Sequence, residues 1–326
     1  MKAKLYRLFL QAFSLLLLVF VLTACGGLGQ NLAYFSFDGS PKASNPEYQR
    51  TFPSVALSGY IGTNQQTRED SGRSGTIDLT SLSKGYVVAA ATSAARAKFR
   101  VERDGSKYDY DLNNQGSYEV FPLVYGNGHY TFTIFINVEG NQYEYFLVAE
   151  ADVALESEFA PFLVPNQVVN YNENSAVVTL SHTLTEHASS NLEVVQQVYY
   201  WVAENISYDT AKAAELTNST GYVPDIEETL SSKKGICYDY AALVAAMLRA
   251  NGIPCKLIKG DVQYDGQSLY HAWNMIWLEE TGWIAVKVPS APNEWFRIDL
   301  TFAAGSDASI AQFIGDGQNY TEIYVH

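Results

Sequence analysis

Cysteine, histidine and positive charge are all scarce in this chain of 326 residues. It holds 3 cysteines and 5 histidines, and its 21 Lys and Arg face 35 Asp and Glu, a net charge of −14. So acidic a surface is repelled by phosphate backbones, which argues against nucleic acid as a partner. The sequence also lacks an H-E-x-x-H pair and a calcium-loop pattern, so neither a metal nor another cofactor is expected.

Long apolar runs are also scarce, and the one at the N terminus reads as an export signal. Lys2, Lys4 and Arg7 precede an apolar stretch over Leu8–Leu22, which is short for a membrane-spanning helix. The run ends in Leu-Thr-Ala-Cys at Cys25, which resembles the bacterial lipobox. We therefore expect residues 1–24 to be a lipoprotein signal peptide and Cys25 to be lipidated. The alternative is an ordinary export signal with a chance cysteine.

Such processing would leave an exported protein anchored to the cell membrane and facing the extracytoplasmic side. It would remove three positive charges and no acidic residue, which lowers the net charge from −14 to −17. Since anionic headgroups repel so acidic a chain, attachment to the membrane must come from the lipid. Residues 25–75 have little apolar periodicity and predict a tether or linker.

Alternating polar and apolar residues then predict an all-β, sandwich-like domain over residues 76–180. Asp104-Gly105 lies between two alternating runs, a strong hairpin signal. Further turns are expected at Gly126–Gly128 and Glu139–Asn141. The many tyrosines suit half-buried strand faces. A carbohydrate-binding platform is the alternative use for them.

Residues 181–326 read as an α+β domain. Apolar residues at spacings of three and four predict a helix over Asn191–Glu204. A second helix follows Cys237 and has no polar face before Arg249, so it should be central and buried. Four strand-like runs come after it: CKLIKGDVQY, LYHAWNMIWL, WIAVKV and WFRIDLTF. One buried helix against an antiparallel sheet is the expected arrangement.

Cys237 is the first candidate for chemistry. A thiol at a helix N terminus faces free backbone N–H groups and the positive end of the helix dipole, which favour the thiolate. The simpler interpretation is a small apolar residue at the start of a core helix. Cys255, between Pro254 and a strand, is expected to be a buried structural thiol. The two could in principle form a disulfide, although a helix separates them.

Two residues on later strands could complete a catalytic set. His271 begins a strand and could carry protons, or it could be a satisfied core histidine. Asp299 interrupts a β-forming run between Ile298 and Leu300, where a buried carboxylate needs a partner such as an imidazole. A salt bridge to Arg297 or a turn-capping role would explain Asp299 as well.

Together these segments resemble the transglutaminase-like superfamily, relatives of papain. The motifs are GICYDYA (Gly235–Ala241), HAWN (His271–Asn274) and WFRIDLTF (Trp295–Phe302), supported upstream by WVAENISYD. The resemblance covers roughly residues 185 to 305. It implies Cys237 as nucleophile, His271 as acid and base, and Asp299 as the residue that orients the imidazole. Asp299-Leu300-Thr301 departs from the family's Asp-Pro-Thr, and the stretch between His271 and Asp299 is longer than the minimal pattern.

The chemistry implied is attack of the Cys237 thiolate on a peptide or carboxamide carbonyl to form a thioester. The backbone N–H of Cys237 would stabilise the oxyanion, with Tyr208 and Gln197 as candidates for the second donor. Hydrolysis by a cysteine protease or amidase is expected, acting on a protein or peptide such as a cell-envelope peptide. Cross-linking by a transglutaminase is the alternative, and a non-catalytic lipoprotein that binds polysaccharide or a partner is the rival class.

Overall fold

The computed structural model describes residues 50–53, 61–217, 219–264, 267–278, 295–298 and 320–326. All of them belong to the unit Pro41–His326. The predicted signal peptide and Cys25 lie outside the described residues. Among the helices that are described, none has the length and apolar character needed to cross a membrane.

The first half of the described chain forms two antiparallel sheets of four strands. The first sheet has the order β1-β2-β3-β6. Its strands are β1 (Gln65–Asp70), β2 (Arg73–Asp78), β3 (Tyr86–Thr92) and β6 (Glu119–Pro122). The second sheet has the order β5-β4-β7-β8. Its strands are β4 (Ala97–Arg103), β5 (Ser106–Leu112), β7 (Gly128–Glu139) and β8 (Gln142–Val153).

The predicted hairpin at Asp104-Gly105 is confirmed. Arg103 of β4 pairs with Ser106 of β5, so the turn contains two residues. Asp104 and Gly105 have φ angles of 50° and 81°. A positive φ at both central positions is typical of the type I′ turn, whose twist matches the strands that it joins.

One apolar core lies between the two sheets. It combines side chains of both, among them Ile77, Val87, Phe99, Phe132 and Ile134, all with no exposed surface. Full burial of such side chains contributes about 1.5–3 kcal/mol each to folding. These two sheets are therefore the sandwich-like half of an α+β protein, as the alternating pattern predicted.

Five helices and a third sheet follow within the part of the chain that the structure describes. The helices are α1 (Ala176–Thr185), α2 (Asn191–Asn205), α3 (Thr210–Leu216), α4 (Ile226–Ser232) and α5 (Cys237–Ala250). The sheet is antiparallel with the order β13-β12-β11-β14. Its strands are β11 (Cys255–Tyr264), β12 (Gln267–Trp277), β13 (Trp295–Ile298) and β14 (Tyr320–Val325). Two short parallel strands, β9 (Ser207–Tyr208) and β10 (Lys234–Gly235), pair with each other.

Helix α5 is the centre of this half. Every residue from Tyr238 to Ala250 is buried, and α5 contacts α1, α2, α4, β11 and β12. Arg249 at its end is buried too, and its guanidinium donates hydrogen bonds to the carbonyl oxygens of Val164, Cys255 and His326. These bonds offset the cost of burying the charge. The predicted central helix is confirmed.

The predicted domain limits at 75/76 and 180/181 stay a prediction. Strand β1 and the first residues of β2 lie before residue 76, in the stretch predicted to be a tether. Helix α1 begins at Ala176, before residue 181. The strand run WIAVKV falls outside the described residues.

Candidate active site

Cys237 is the first residue of α5 and is only half-buried, whereas the rest of the helix is buried. Its thiol therefore stands where the free N–H groups and the positive end of the helix dipole meet the surface. Cys237 and Cys255 are both free thiols, so the disulfide considered above is absent. Cys255 has no exposed surface, and burial raises the pKa of its thiol to about 12, as suits a structural residue.

Strands β9 and β10 fix the chain that leads into α5. Tyr208 pairs with Gly235, and the Asp209 N–H donates to the Gly235 carbonyl at 2.9 Å. Gly235 leaves no room for a side chain, because a Cβ there would lie 2.7 Å from the Cβ of Asp239. The pairing therefore holds Tyr208 beside the residues that precede the cysteine.

The Tyr208 phenol is close enough to the Cys237 thiol for the charge of the thiol to affect its pKa. Burial raises the pKa of its phenol, and the charges of Cys237 and Asp239 raise it further. The side chain remains 45% exposed. A phenol that keeps its proton at neutral pH can donate a hydrogen bond, which is what an oxyanion donor requires.

His271 is buried and is the fifth of the eleven residues of β12 (Gln267–Trp277), so it lies in the middle of the strand and not at its start, where the sequence predicted it. It pairs with Gly260 of β11, where a Cβ would lie 2.0 Å from the Thr321 carbonyl oxygen. Tyr270 precedes it. Burial, the phenol of Tyr324 and then the Cys237 thiol raise the pKa of Tyr270 to about 12. The charge of Cys237 therefore reaches this part of β12.

Asn274 joins β12 to α5 directly. Its side-chain amide is buried and donates to the carbonyl oxygens of Ala241 at 2.9 Å and Lys256 at 3.3 Å. Ala272 and Ile276 alternate with Asn274 and belong to the core around α5. The strand that carries His271 is therefore bound to the N-terminal half of the helix that carries Cys237.

Asp299 lies outside the described residues. The chain reaches it directly from Ile298, the last residue of β13, which pairs with Asn274 of β12. Gln197 lies on α2, which packs against α5. Its buried side-chain oxygen accepts no hydrogen bond within the described part of the chain. The catalytic roles of Cys237, His271, Asp299, Tyr208 and Gln197 all stay predictions.

Asp239 is a site residue that sequence reasoning missed. It is the third residue of α5, has no exposed surface, and accepts a hydrogen bond from the Ile236 N–H at 2.8 Å. Lys212 lies 2.9 Å from its Oδ2, and the Tyr222 hydroxyl donates to its Oδ1. Burial and then this bond to Asp239 raise the pKa of Tyr222. An acidic residue in the first turn of a helix is a capping signal that could have drawn attention to it.

The sandwich also contacts this region, through Lys259 of β11. The Lys259 ammonium of β11 donates to the Tyr108 hydroxyl of β5 at 3.1 Å. It also lies 4.8 Å from the ring centre of Tyr238 and 5.3 Å from that of Tyr324. Burial lowers the pKa of Lys259 to about 8. Lys259 thus connects Tyr108 of the sandwich to Tyr238, the residue that follows Cys237.

Within the described part of the chain, no group of three or more His, Cys, Asp and Glu residues could hold a metal ion. A half-exposed thiol at the start of a buried helix and an antiparallel sheet that carries a histidine together form an α+β architecture. The fold and the site therefore place this protein in the class of α+β proteins with a candidate thiol site.

Comparison with known proteins identifies the family of this region. Residues 178–288 match the family model of the transglutaminase-like superfamily. The match contains Cys237 and His271 and ends before Asp299. Residues 178–288 are thus a transglutaminase-like domain, which confirms the resemblance that the motifs predicted.

Individual relatives match over part of their length. Human kyphoscoliosis peptidase is 30% identical over 139 residues, which is 40% of this chain and 19% of that protein. A UPF0252 protein of Methanocaldococcus jannaschii is 30% identical over 145 residues, covering 42% of this chain and 40% of the relative. The structure of red sea bream transglutaminase aligns with 66% of this chain and 48% of its own at 11% identity, with a TM-score of 0.32.

Proposed function

We propose that this protein is a cysteine-dependent enzyme that cleaves peptide or carboxamide bonds. The observation that carries the proposal is the position of Cys237, half-exposed at the positive end of a buried helix whose fifth residue, Ala241, is hydrogen-bonded to the strand that carries His271. A merely structural thiol in this protein looks different, as the completely buried Cys255 illustrates. The name of the human relative, a peptidase, supports the same reaction class.

The reaction would proceed through a thioester. The Cys237 thiolate attacks the carbonyl carbon, and His271 delivers its proton to the leaving amine as the C–N bond breaks. Water then attacks the thioester, His271 takes a proton from it, and the C–S bond breaks to release the acid and the thiol. Asp299 would orient the imidazole and stabilise its cation.

The oxyanion would be held by the backbone N–H of Cys237 and by the Tyr208 hydroxyl. Tyr208 is preferred to Gln197 because its phenol senses the Cys237 charge and its pKa is raised, so that it remains a donor. Loss of one such donor costs on the order of 100-fold in rate.

Hydrolysis is proposed over cross-linking because water is always present, whereas amine transfer needs a site that admits amines and excludes water. The enzyme would act outside the cytoplasmic membrane, anchored by a lipid on Cys25, with cell-envelope peptides as substrates. This location rests on the basic and apolar N terminus and on the lipobox-like sequence that ends at Cys25.

The first test is alkylation of Cys237 by iodoacetamide near neutral pH, followed on its peptide by mass spectrometry. We expect faster labelling than of a free model thiol and slower labelling in His271→Ala. Cys255 in the same sample is the matched buried thiol and should remain unlabelled. Ordinary labelling of Cys237 that His271→Ala does not change would overturn the proposal.

The second test separates the two reactions. Envelope peptides are incubated with the wild type or Cys237→Ala in the presence of a biotinylated primary amine. New peptide termini that need Cys237 support hydrolysis, whereas biotin incorporation would show amine transfer instead. If neither product forms, the non-catalytic binding lipoprotein becomes the better account.

A further inference from the structure

A completely buried carboxylate lies two residues after Cys237. Asp239 occupies the first turn of α5 and has no exposed surface. A negative charge in such a place is costly unless it is paired and hydrogen-bonded. Its charge also opposes ionisation of the Cys237 thiol two residues earlier on the same helix, because like charges in a low-dielectric site repel each other, and both groups act on the Tyr208 phenol. The reaction proposed above would therefore suffer unless something cancels this charge.

Lys212 supplies the opposing charge. Its ammonium lies 2.9 Å from Asp239 Oδ2 and 4.8 Å from the ring centre of Tyr222. Tyr222 donates its hydroxyl to the other carboxylate oxygen. Asp239 therefore has a cation and a neutral donor on its side chain, in addition to the backbone N–H of Ile236.

The short strands β9 and β10, which lead into Cys237, also hold the start of α3, the helix that carries Lys212. Asp209 caps α3 by accepting a hydrogen bond from the Lys212 N–H at 2.9 Å. The Asp209 N–H in turn donates to the Gly235 carbonyl, two residues before the cysteine. Helix α3 has no fully buried residue, and its Lys212 forms an ion pair with the buried Asp239.

None of the other titratable groups described below supplies a positive charge to Asp239. Tyr208 of β9 senses both Cys237 and Asp239 but is neutral. Asp225 and Glu228, at the start of α4, lie near Tyr222 and add negative charge. Tyr270 of β12 is affected by the charge of Cys237 and is neutral as well.

We propose that Lys212 is a positioning residue that neutralises Asp239, so that the Cys237 thiolate can form at neutral pH. The proposal rests on the function proposed above. Lys212 acts through Asp239 and touches no substrate. Tyr222 holds the carboxylate in the orientation that serves both the cap of α5 and the ion pair.

The test is the pH dependence of Cys237 alkylation in the full chain, measured on the Cys237 peptide. Lys212→Met leaves Asp239 uncompensated, and we expect the rate at pH 7 to fall about tenfold, with the profile displaced by about one pH unit to the alkaline side. Lys212→Arg keeps the charge and should restore the profile. Lys212→Met/Asp239→Asn removes both charges and should return the rate to within about threefold of wild type.

Lys107→Met is the matched control, since it removes an exposed lysine from the sandwich and should leave the profile unchanged. Thermal unfolding of each variant shows that it is folded. A Lys212→Met profile that superimposes on the wild type overturns the proposal. A double variant no faster than Lys212→Met also overturns it, because the role would then be packing and not charge.

Failure of the proposed enzyme activity would be seen in different measurements from failure of the Lys212 proposal. It would appear as ordinary wild-type labelling of Cys237 and as no effect of His271→Ala, neither of which depends on Lys212. Should Asp239→Asn fail to fold, the contrast between Lys212→Met and Lys212→Arg still decides the question.

Discussion

Tyr208 is held by backbone pairing beside the residues that precede Cys237. Its strand partner is Gly235, and its phenol is about half exposed while still sensing the charges of Cys237 and Asp239. Such a hydroxyl can meet a substrate carbonyl without first moving the core. Tyr270 also senses Cys237, but it is more exposed and lies on the His271 strand.

Tyr208→Phe is expected to lower kcat/KM for peptide cleavage by about 100-fold, because it removes one oxyanion donor and leaves the ring in place. Alkylation of Cys237 by iodoacetamide should change little, since that reaction forms no oxyanion. Tyr145→Phe, which alters an exposed tyrosine of the sandwich, is the control. Equal losses in cleavage and alkylation would mean that Tyr208 acts on the thiol and not on the oxyanion.

Among single residues, those with a distinctive chemical type could be predicted from the sequence and those defined by a contact could not. Cys237 and His271 stand out because cysteine and histidine are rare here. Lys212 and Asp239 look like ordinary charged residues, since their pairing depends on how α3 packs beside α5. Asp299 was predicted from its apolar neighbours, but it lies outside the described residues.

At the scale of elements, strands β11 and β12 and helix α5 form the frame of the site. Their contact depends on apolar packing of Ala272 and Ile276 and on one buried polar link through Asn274. An amide in this position fixes the register of the strand against the helix, because its hydrogen bonds have a direction that apolar contacts lack.

Asn274→Ala is expected to lower the free energy of unfolding by about 1–3 kcal/mol, because the carbonyl oxygens of Ala241 and Lys256 lose their donor. It should also slow alkylation of Cys237, since the His271 strand loses a link to α5. Urea unfolding measures the first effect. Asn137→Ala is the control, because Asn137 makes two similar amide bonds at the surface of the sandwich. Equal costs in the two variants would contradict this role of Asn274.

Elements with a strong hydrophobic pattern were predictable. The helix predicted from Asn191 to Glu204 is confirmed as Asn191–Asn205, and the run CKLIKGDVQY is strand β11 over Cys255–Tyr264. Strand β1 lies at a sheet edge and has no buried residue, so its sequence QQTRED shows no alternation. Strands β9 and β10 have two residues each, too few for any periodicity.

At the scale of the whole molecule, the sandwich and the transglutaminase-like domain meet at Lys259. Tyr108 of the sandwich accepts its hydrogen bond, and the Tyr108 ring packs edge-on against Tyr324 at 4.9 Å and His326 at 5.0 Å. His326 is completely buried, and burial lowers the pKa of its imidazole well below the usual value. The junction therefore encloses one lysine and one neutral histidine among aromatic rings.

This junction should make stability depend on pH. Burial lowers the pKa of Lys259 from its usual 10.5 to about 8. Between these values the unfolded chain keeps a proton on the amine that the folded chain has released. Because the unfolded state binds more protons there, the contribution of Lys259 to stability rises with pH across this window and is lost as the pH falls through 8.

Lys259→Met is therefore expected to reduce the rise in the free energy of unfolding between pH 8 and pH 10. Urea unfolding at pH 7, 8, 9 and 10 measures it as the difference between wild type and variant, in which the tyrosines titrating in both chains largely cancel. Lys107→Met, the exposed control, should follow the wild-type curve. If the wild-type and Lys259→Met curves run parallel across this window, Lys259 keeps its proton in the folded protein and the aromatic rings hold it as a cation.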